Sequence, residues 1–161
     1  MTDYPINLRI GGKRCLVVGG GSVACRKVKS LLAAEAQVTV LSPELTAELA
    51  EMQRKKQFNY IPKPYREGDL GGFFLVICAT DDPFVNEAVA REAEDNGILA
   101  NVVDVPELGN FSVPAQVKRG DLLLTVSTGG KSPVLAKRLR QQLAAGYGGE
   151  YGEFLDFLNE V

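Results

Sequence analysis

The chain has 161 residues, 45% hydrophobic and 24% charged, with a formal net charge of -2 and a pI near 5.3. This length holds one good core with a small appendage rather than two large domains, and the near-balanced charge gives no reason to expect nucleic acid or an anionic membrane as partner. Histidine is absent, which excludes Ser-His-Asp and Cys-His catalysis and any metal site built on imidazole.

Ile6, Leu8 and Ile10 alternate with polar residues and run into Gly11-Gly12, predicting a short strand and a tight turn. Cys15-Leu16-Val17-Val18 is a continuous apolar run, as expected of a central parallel strand buried on both faces. Ala24, Val28, Leu31 and Leu32 then mark one face of a helix over residues 22–34. Val38 to Leu41 reads as a second strand. Ser42-Pro43 has the chemistry of a cap followed by proline at the first helical position, predicting a helix from there to about Gln53. Phe58 to Ile61 and Phe74 to Ala79 read as strands, the former near an edge. Asp82-Pro83 opens another helix, which Gly97 stops, and Ile98 to Val103 gives a fifth strand. Strand and helix alternate up to this point, the pattern of a doubly wound parallel sheet of Rossmann type.

The rhythm then changes. Phe111 to Pro114 and Leu122 to Ser127 predict an antiparallel pair around a Lys118–Asp121 turn, followed by a helix over residues 133–145. Gly146-Tyr147-Gly148-Gly149 breaks the chain before a last amphipathic stretch carrying Tyr151, Phe154, Leu155 and Leu158. The expected fold class is therefore α/β: a Rossmann-type sheet, a small α+β region and the start of a helical C-terminal segment. The expected boundaries are 1–112, 113–146 and 147–161. Cys15, Cys25 and Cys78 form no C-x-x-C pair and read as small buried hydrophobes of a reducing compartment. With no apolar run of membrane-spanning length and no signal-peptide profile in MTDYPINLRI, the reading is cytoplasmic.

Gly19-Gly20-Gly21-Ser22-Val23-Ala24 fits G-x-G-x-x-G/A directly between a buried strand and a helix. Gly19 allows the tight turn, Gly21 lets the backbone approach a pyrophosphate, and Ala24 lets helix and strand pack closely. The helix N-terminus offers its free N–H groups and positive dipole to the phosphates. The acid that commonly follows at the end of the second strand is missing, so Ser42, Glu44 or the backbone must serve the ribose. No arginine stands there for a 2′-phosphate, which favours NAD over NADP.

Thr128-Gly129-Gly130-Lys131-Ser132-Pro133 also joins a strand to a helix. It is not a Walker A loop, because that motif needs glycine where Thr125 stands. A capped helix start beside Lys131 could seat a substrate carboxylate, and a ligand-free glycine turn fits the spacing as well. Thr80-Asp81-Asp82 and Asn101-Val102-Val103-Asp104 lie at the carboxyl ends of predicted parallel strands, the edge at which open α/β sheets bind ligands. Asp82 has a structural use as a helix cap. Asp104 has no such use, which makes it a candidate acid or base.

Taken together, Leu16 to Ala24 with Arg26-Lys27, Ala79 to Asp82, Asn86, Asn101 to Asp104 and Ser127 to Ala136 resemble the precorrin-2 dehydrogenase/sirohydrochlorin ferrochelatase family, the N-terminal module of siroheme synthase. The resemblance runs from about Tyr4 to Leu143. It implies NAD-dependent oxidation of precorrin-2 to sirohydrochlorin, and ferrous iron insertion in many members. It places Gly19, Gly21, Ser22 and Val23 at the pyrophosphate, Pro43 and Glu44 near the adenosine ribose, with Thr80 on the same cofactor edge, and Asp104 as the catalytic aspartate. Thr128, Gly129, Lys131 and Ser132 are candidates for binding the tetrapyrrole, with Lys131, Arg119 and Arg138 candidates to meet its carboxylates. The family is a homodimer whose helical C-terminal segment extends beyond the point at which this chain stops. Two alternatives stay open: a dehydrogenase without chelatase activity, and an NAD-sensing module without turnover.

Overall fold

The structure, a computed structural model, describes residues 3–159. The chain divides into two units, Asn7–Ser112 and a second made of Val113 onward with the residues preceding Asn7.

In the first unit five parallel strands, β1 (Arg14–Val18), β2 (Gln37–Leu41), β3 (Asn59–Ile61), β4 (Leu75–Cys78) and β5 (Leu99–Val102), form a sheet in the order β3-β2-β1-β4-β5. Successive side chains of a strand leave on opposite faces, and the apolar runs use both. Cys15, Val17, Val38, Val40, Leu75 and Ile77 pack with helices α1 (Ser22–Ala33) and α2 (Ala47–Arg54) through Ala24, Val28, Leu31 and Leu49. Leu16, Val18, Val76 and Cys78 pack on the other face with Val89 and Ala93 of α3 (Pro83–Asp95). The strand order reverses at β1, with β2 on one side and β4 on the other, so a crevice opens beyond the carboxyl ends of these strands. The doubly wound reading of the sequence holds.

Three local expectations are corrected. Residues 3–10 form no strand: Ile6 and Leu8 are exposed and only Ile10 is buried, because β2 and β4 already flank β1. The turn after them is real, with Gly12 at φ +69° and Lys13 N–H donating to the Ile10 carbonyl at 2.9 Å. The helix expected from Ser42-Pro43 starts only at Ala47. Ser42 N–H donates to Ile61 O at 3.2 Å and the Tyr60 hydroxyl donates to Ser42 O at 3.0 Å, which holds residues 42–46 in an open loop. The strand expected at Phe111–Pro114 is displaced to β6 (Ala115–Arg119). Asn110 explains why: its side chain bonds Ala100 N–H at 2.8 Å and Ile98 O at 2.9 Å, so residues 109–111 cover the edge of β5 instead.

In the second unit β6 and β7 (Leu122–Val126) form an antiparallel hairpin that contacts α4 (Pro133–Gly146) and α5 (Glu150–Asn159). The hairpin tip meets α5 at two glycines: a Cβ on Gly120 would stand 3.2 Å from Gly152 Cα, and one on Gly152 would stand 2.9 Å from Arg119 O. Arg119 donates to Tyr147 O (3.1 Å) and Ala144 O (3.3 Å), satisfying carbonyls at the C-terminus of α4. Its guanidinium thus has a structural use. Among the described residues no helix is long and apolar enough to cross a membrane.

All three cysteines are buried and unpaired. Burial pushes the Cys78 thiol up to about 12, and its S–H donates to Asn86 Oδ1 at 3.1 Å. Burial also raises Cys15, and burial with Glu48 raises Cys25. Thiolate is the reactive form, so a disulfide reagent at neutral pH is expected to titrate no thiol in the native chain and three after denaturation. A fast-reacting thiol in the native protein would contradict this packing.

Candidate functional site

The glycine turn sits at the reversal of strand order, where β1 hands over to α1. Gly19 has φ +121°, a conformation that a side chain resists, and its N–H donates to Leu41 O at 2.9 Å. A Cβ there would run into the carbonyl oxygen of Ala79, at the end of β4, and lie 2.9 Å from its carbonyl carbon. Gly20, which the sequence pattern leaves free to vary, is packed at least as tightly. A Cβ on it would overlap the Glu44 carbonyl oxygen and lie 2.8 Å from Ser42 Oγ, while Gly20 O accepts from Thr46 N–H at 2.9 Å. Gly21 is different: nothing lies within 4 Å of its Cβ position.

Helix α1 starts at Ser22 with Gly21 as its N-cap, no side-chain cap and no acid in its first turn. Cys25 N–H is the first to be taken by the helix, at 3.0 Å from Gly21 O, so the N–H groups of Ser22, Val23 and Ala24 lie before the ladder begins. Helices α3 and α4 spend side chains on this task. Asp82 Oδ1 accepts from Phe84 N–H and Val85 N–H at 2.9 and 3.3 Å, and Ser132 Oγ accepts from Leu135 N–H at 3.2 Å. An open approach over Gly21 to an uncapped, unacidified helix start suits a pyrophosphate.

Beside the turn a cleft of about 320 Å³ is lined by Gly20, Gly21, Ser42, Glu44, Leu45 and Thr46. Ser42 and Glu44 were singled out from the sequence and do border it. Ser42 Oγ, however, is buried and donates to Glu44 O at 2.8 Å, whereas Glu44 is exposed. Pro43 lies between them, its carbonyl accepting from the Tyr60 hydroxyl at 3.2 Å. Thr46 lines the same cleft, and its hydroxyl is shielded from solvent with no hydrogen-bond partner among the described residues. Reading the sequence placed Gly20 within the glycine turn without its packing role, and missed Thr46.

Thr80 follows β4 and its hydroxyl accepts from Asp82 N–H at 2.9 Å, setting the turn into α3. Asp104 lies on a bend after β5, just before a short 3-10 turn at Pro106–Leu108. It is exposed and forms no salt bridge among the described residues, whose ion pairs lie at Lys29–Glu48, Arg54–Glu51, Lys55–Glu51 and Lys63–Asp69. The glycine turn, Thr80 and Asp104 thus all follow carboxyl ends of strands β1, β4 and β5 of one sheet.

In the other unit, Thr128 ties its loop together. Its hydroxyl donates to Ser132 O and accepts from Ser132 N–H, both at 3.2 Å, and Thr128 O accepts from Lys131 N–H at 3.1 Å. Gly129 and Gly130 carry φ +59° and +76°. Pro133 has no N–H, and those of Leu135 and Ala136 go to Ser132, which leaves the Val134 N–H without a partner among the described residues at the start of α4. Lys131 is exposed. Among the described residues no three His, Cys, Asp or Glu side chains could hold a metal ion.

Residues 6–115 match the family model described as "Putative NAD(P)-binding", and residues 119–145 match the one described as "Sirohaem biosynthesis protein central". The solved structure of "SirC, precorrin-2 dehydrogenase" superposes with a TM-score of 0.84 at 36% identity, covering 98% of this chain and 78% of that one. The chain belongs to this siroheme-biosynthesis family. Siroheme synthase of Chromobacterium violaceum is 45% identical over 92% of this chain, and that of Methylobacillus flagellatus 44% over 99%. The chain spans about a third of the length of these curated relatives (32% and 34%). The family match and the glycine turn agree on a nicotinamide dinucleotide as cofactor.

Proposed function

We propose that the chain oxidises precorrin-2 to sirohydrochlorin with NAD, and that it also inserts ferrous iron to give siroheme. The observation that carries the reading is the 36% identity to a precorrin-2 dehydrogenase along 98% of this chain. The structure supplies an independent fit to NAD in the uncapped start of α1, the open Cβ direction of Gly21 and the idle Thr46 hydroxyl beside them.

NAD, when bound, supplies the hydride acceptor. The chain's own residues do the rest. Gly19, Gly21 and the N–H groups of Ser22 and Val23 hold the pyrophosphate, Pro43 and Glu44 border the adenosine ribose, and Thr80 stands on the same edge. Precorrin-2 must lose a hydride and a proton, and the Asp104 carboxylate takes the proton. For metal insertion the two pyrrole N–H protons leave as iron enters, and the same carboxylate accepts them one at a time, releasing each to solvent before taking the next. Iron is a substrate ligated by the macrocycle, so a chain without histidine is no obstacle. Lys131, with Thr128, Gly129 and Ser132, meets the carboxylates of the tetrapyrrole.

The working form is a cytosolic homodimer. In its support, the hairpin, α4 and α5 bury one large side chain among the described residues, Val117, while Val134 is 79% and Phe154 56% exposed, alongside Leu135, Leu139 and Leu158. So small a unit with so little core requires a further apolar surface to cover it. The reading is tested by anaerobic incubation with precorrin-2 and NAD, following NADH by absorbance, then adding ferrous iron and watching the tetrapyrrole spectrum. NADH followed by a siroheme spectrum faster than the protein-free control is the expected result. NADH without faster metallation removes the iron-insertion half. NAD binding without NADH overturns the reading in favour of an NAD sensor.

A further inference from the structure

We propose that the Thr46 hydroxyl binds the ribose hydroxyls of the adenosine half of NAD, in place of the strand-end carboxylate that many such sheets use. The inference rests on the reading of the glycine turn as the NAD site, and deepens it.

Thr46 is the N-cap of α2, with φ -61° and ψ 158°. In that position a threonine oxygen normally accepts from an N–H of the first turn. Here it does not: no side-chain cap bond forms, and Oγ1 is shielded from solvent without a partner among the described residues. The backbone around it is nevertheless fixed. Thr46 N–H donates to Gly20 O at 2.9 Å and Thr46 O accepts from Ala50 N–H at 2.9 Å. The residue is therefore pinned to the phosphate turn while its hydroxyl stays idle.

Thr46 itself lines the cleft beside Gly20 and Gly21. Oγ1, the methyl and a hydrogen share one carbon, so a step between staggered χ1 rotamers carries the hydroxyl out of its shielded position. A buried hydroxyl without a partner is costly, and a ribose hydroxyl relieves that cost by pairing with it. The neighbouring candidate is already committed, because Ser42 Oγ donates to Glu44 O. The cleft follows the end of β2, the place where the ribose lies in sheets of this order.

The test is calorimetric titration of wild type, Thr46→Val and Thr46→Ser with NAD and with NAD analogues lacking the 2′- or 3′-hydroxyl of the adenosine ribose. Valine keeps the shape and removes an unpaired hydroxyl, so the melting temperature of T46V is expected to stay at or above that of wild type. Its Kd for NAD is expected to rise about tenfold, as for one lost hydrogen bond to a ligand, while T46S keeps most of the affinity. At least one deoxy analogue should bind wild type more weakly than NAD does and bind T46V as NAD does. Equal affinity of wild type and T46V for NAD overturns the proposal, as does an analogue penalty of the same size in both. If T46V fails to fold, the analogues decide on wild type alone, and no penalty for either overturns it. Wild type that takes up no NAD overturns the cofactor reading itself, and this inference with it.

Discussion

Replacing Asp104 by alanine is expected to lower the rate of NADH formation from precorrin-2 by about 10²–10⁴-fold, the usual worth of a positioned acid or base. The Kd for NAD and the melting temperature should not change. The prediction separates these quantities because of where the residue sits. Asp104 follows the buried end of β5, whose Asn101 and Val102 are fixed in the sheet, yet the residue itself is exposed and forms no salt bridge among the described residues. Removing such a carboxylate costs the fold little, within about 0.5 kcal/mol. The phosphate turn follows a different strand, so cofactor binding has no reason to suffer. Asp104→Asn keeps the size and loses the base, and should fall with the alanine variant. Undiminished NADH formation in both would assign proton transfer to another group or to the substrate. A variant that loses activity and NAD binding together would give Asp104 a structural role.

What the sequence revealed divides along a physical line. The four-residue cores of β1 and β4 were legible because a strand buried on both faces must be apolar throughout, and nothing else in the chain competes for those runs. The start of α3 was legible because cap and proline are local: Asp82 bonds the N–H groups of residues two and three positions on. The same chemistry misled at Ser42-Pro43. There the backbone is claimed by Ile61 and Tyr60, residues distant in sequence, and the helix waits until Ala47. Likewise Phe111 to Pro114 looks like a strand, but Asn110 fastens the preceding backbone to the edge of β5. In the site, Gly19 and Gly21 follow from a motif with a known backbone geometry. Gly20 and Thr46 gain their meaning only when residues 42–46 fold back onto the turn, a contact between segments about 25 positions apart. Local signals were read correctly wherever no distant partner outbid them.

Gly19→Ala and Gly21→Ala are expected to fail in opposite ways, although two positions separate them. At Gly19 an added methyl meets two penalties together. The backbone holds φ +121°, which L side chains resist, and the methyl would run into the Ala79 carbonyl that extends the β1–β4 pairing. Relief requires the ends of β1 and β4 to part, where Ala79 N–H donates to Val18 O at 2.8 Å. Strain and overlap together should cost about 3 kcal/mol or more, a large share of the stability of a domain this size. That is roughly a 6–12 °C fall in melting temperature. At Gly21 φ is -83° and ψ -173°, an ordinary extended conformation, and nothing lies within 4 Å of the new methyl. Thermal stability should therefore hold to within about 0.5 kcal/mol. The methyl does project where a phosphate must approach the first N–H groups of α1, so the Kd for NAD should rise by about tenfold or more, the cost of losing a charge-assisted hydrogen bond. Melting curves and NAD titrations on the two variants measure both effects. A G21A chain that binds NAD as wild type does would move the pyrophosphate away from this turn. A G19A chain of full stability would mean that the β1–β4 junction yields more easily than its packing implies.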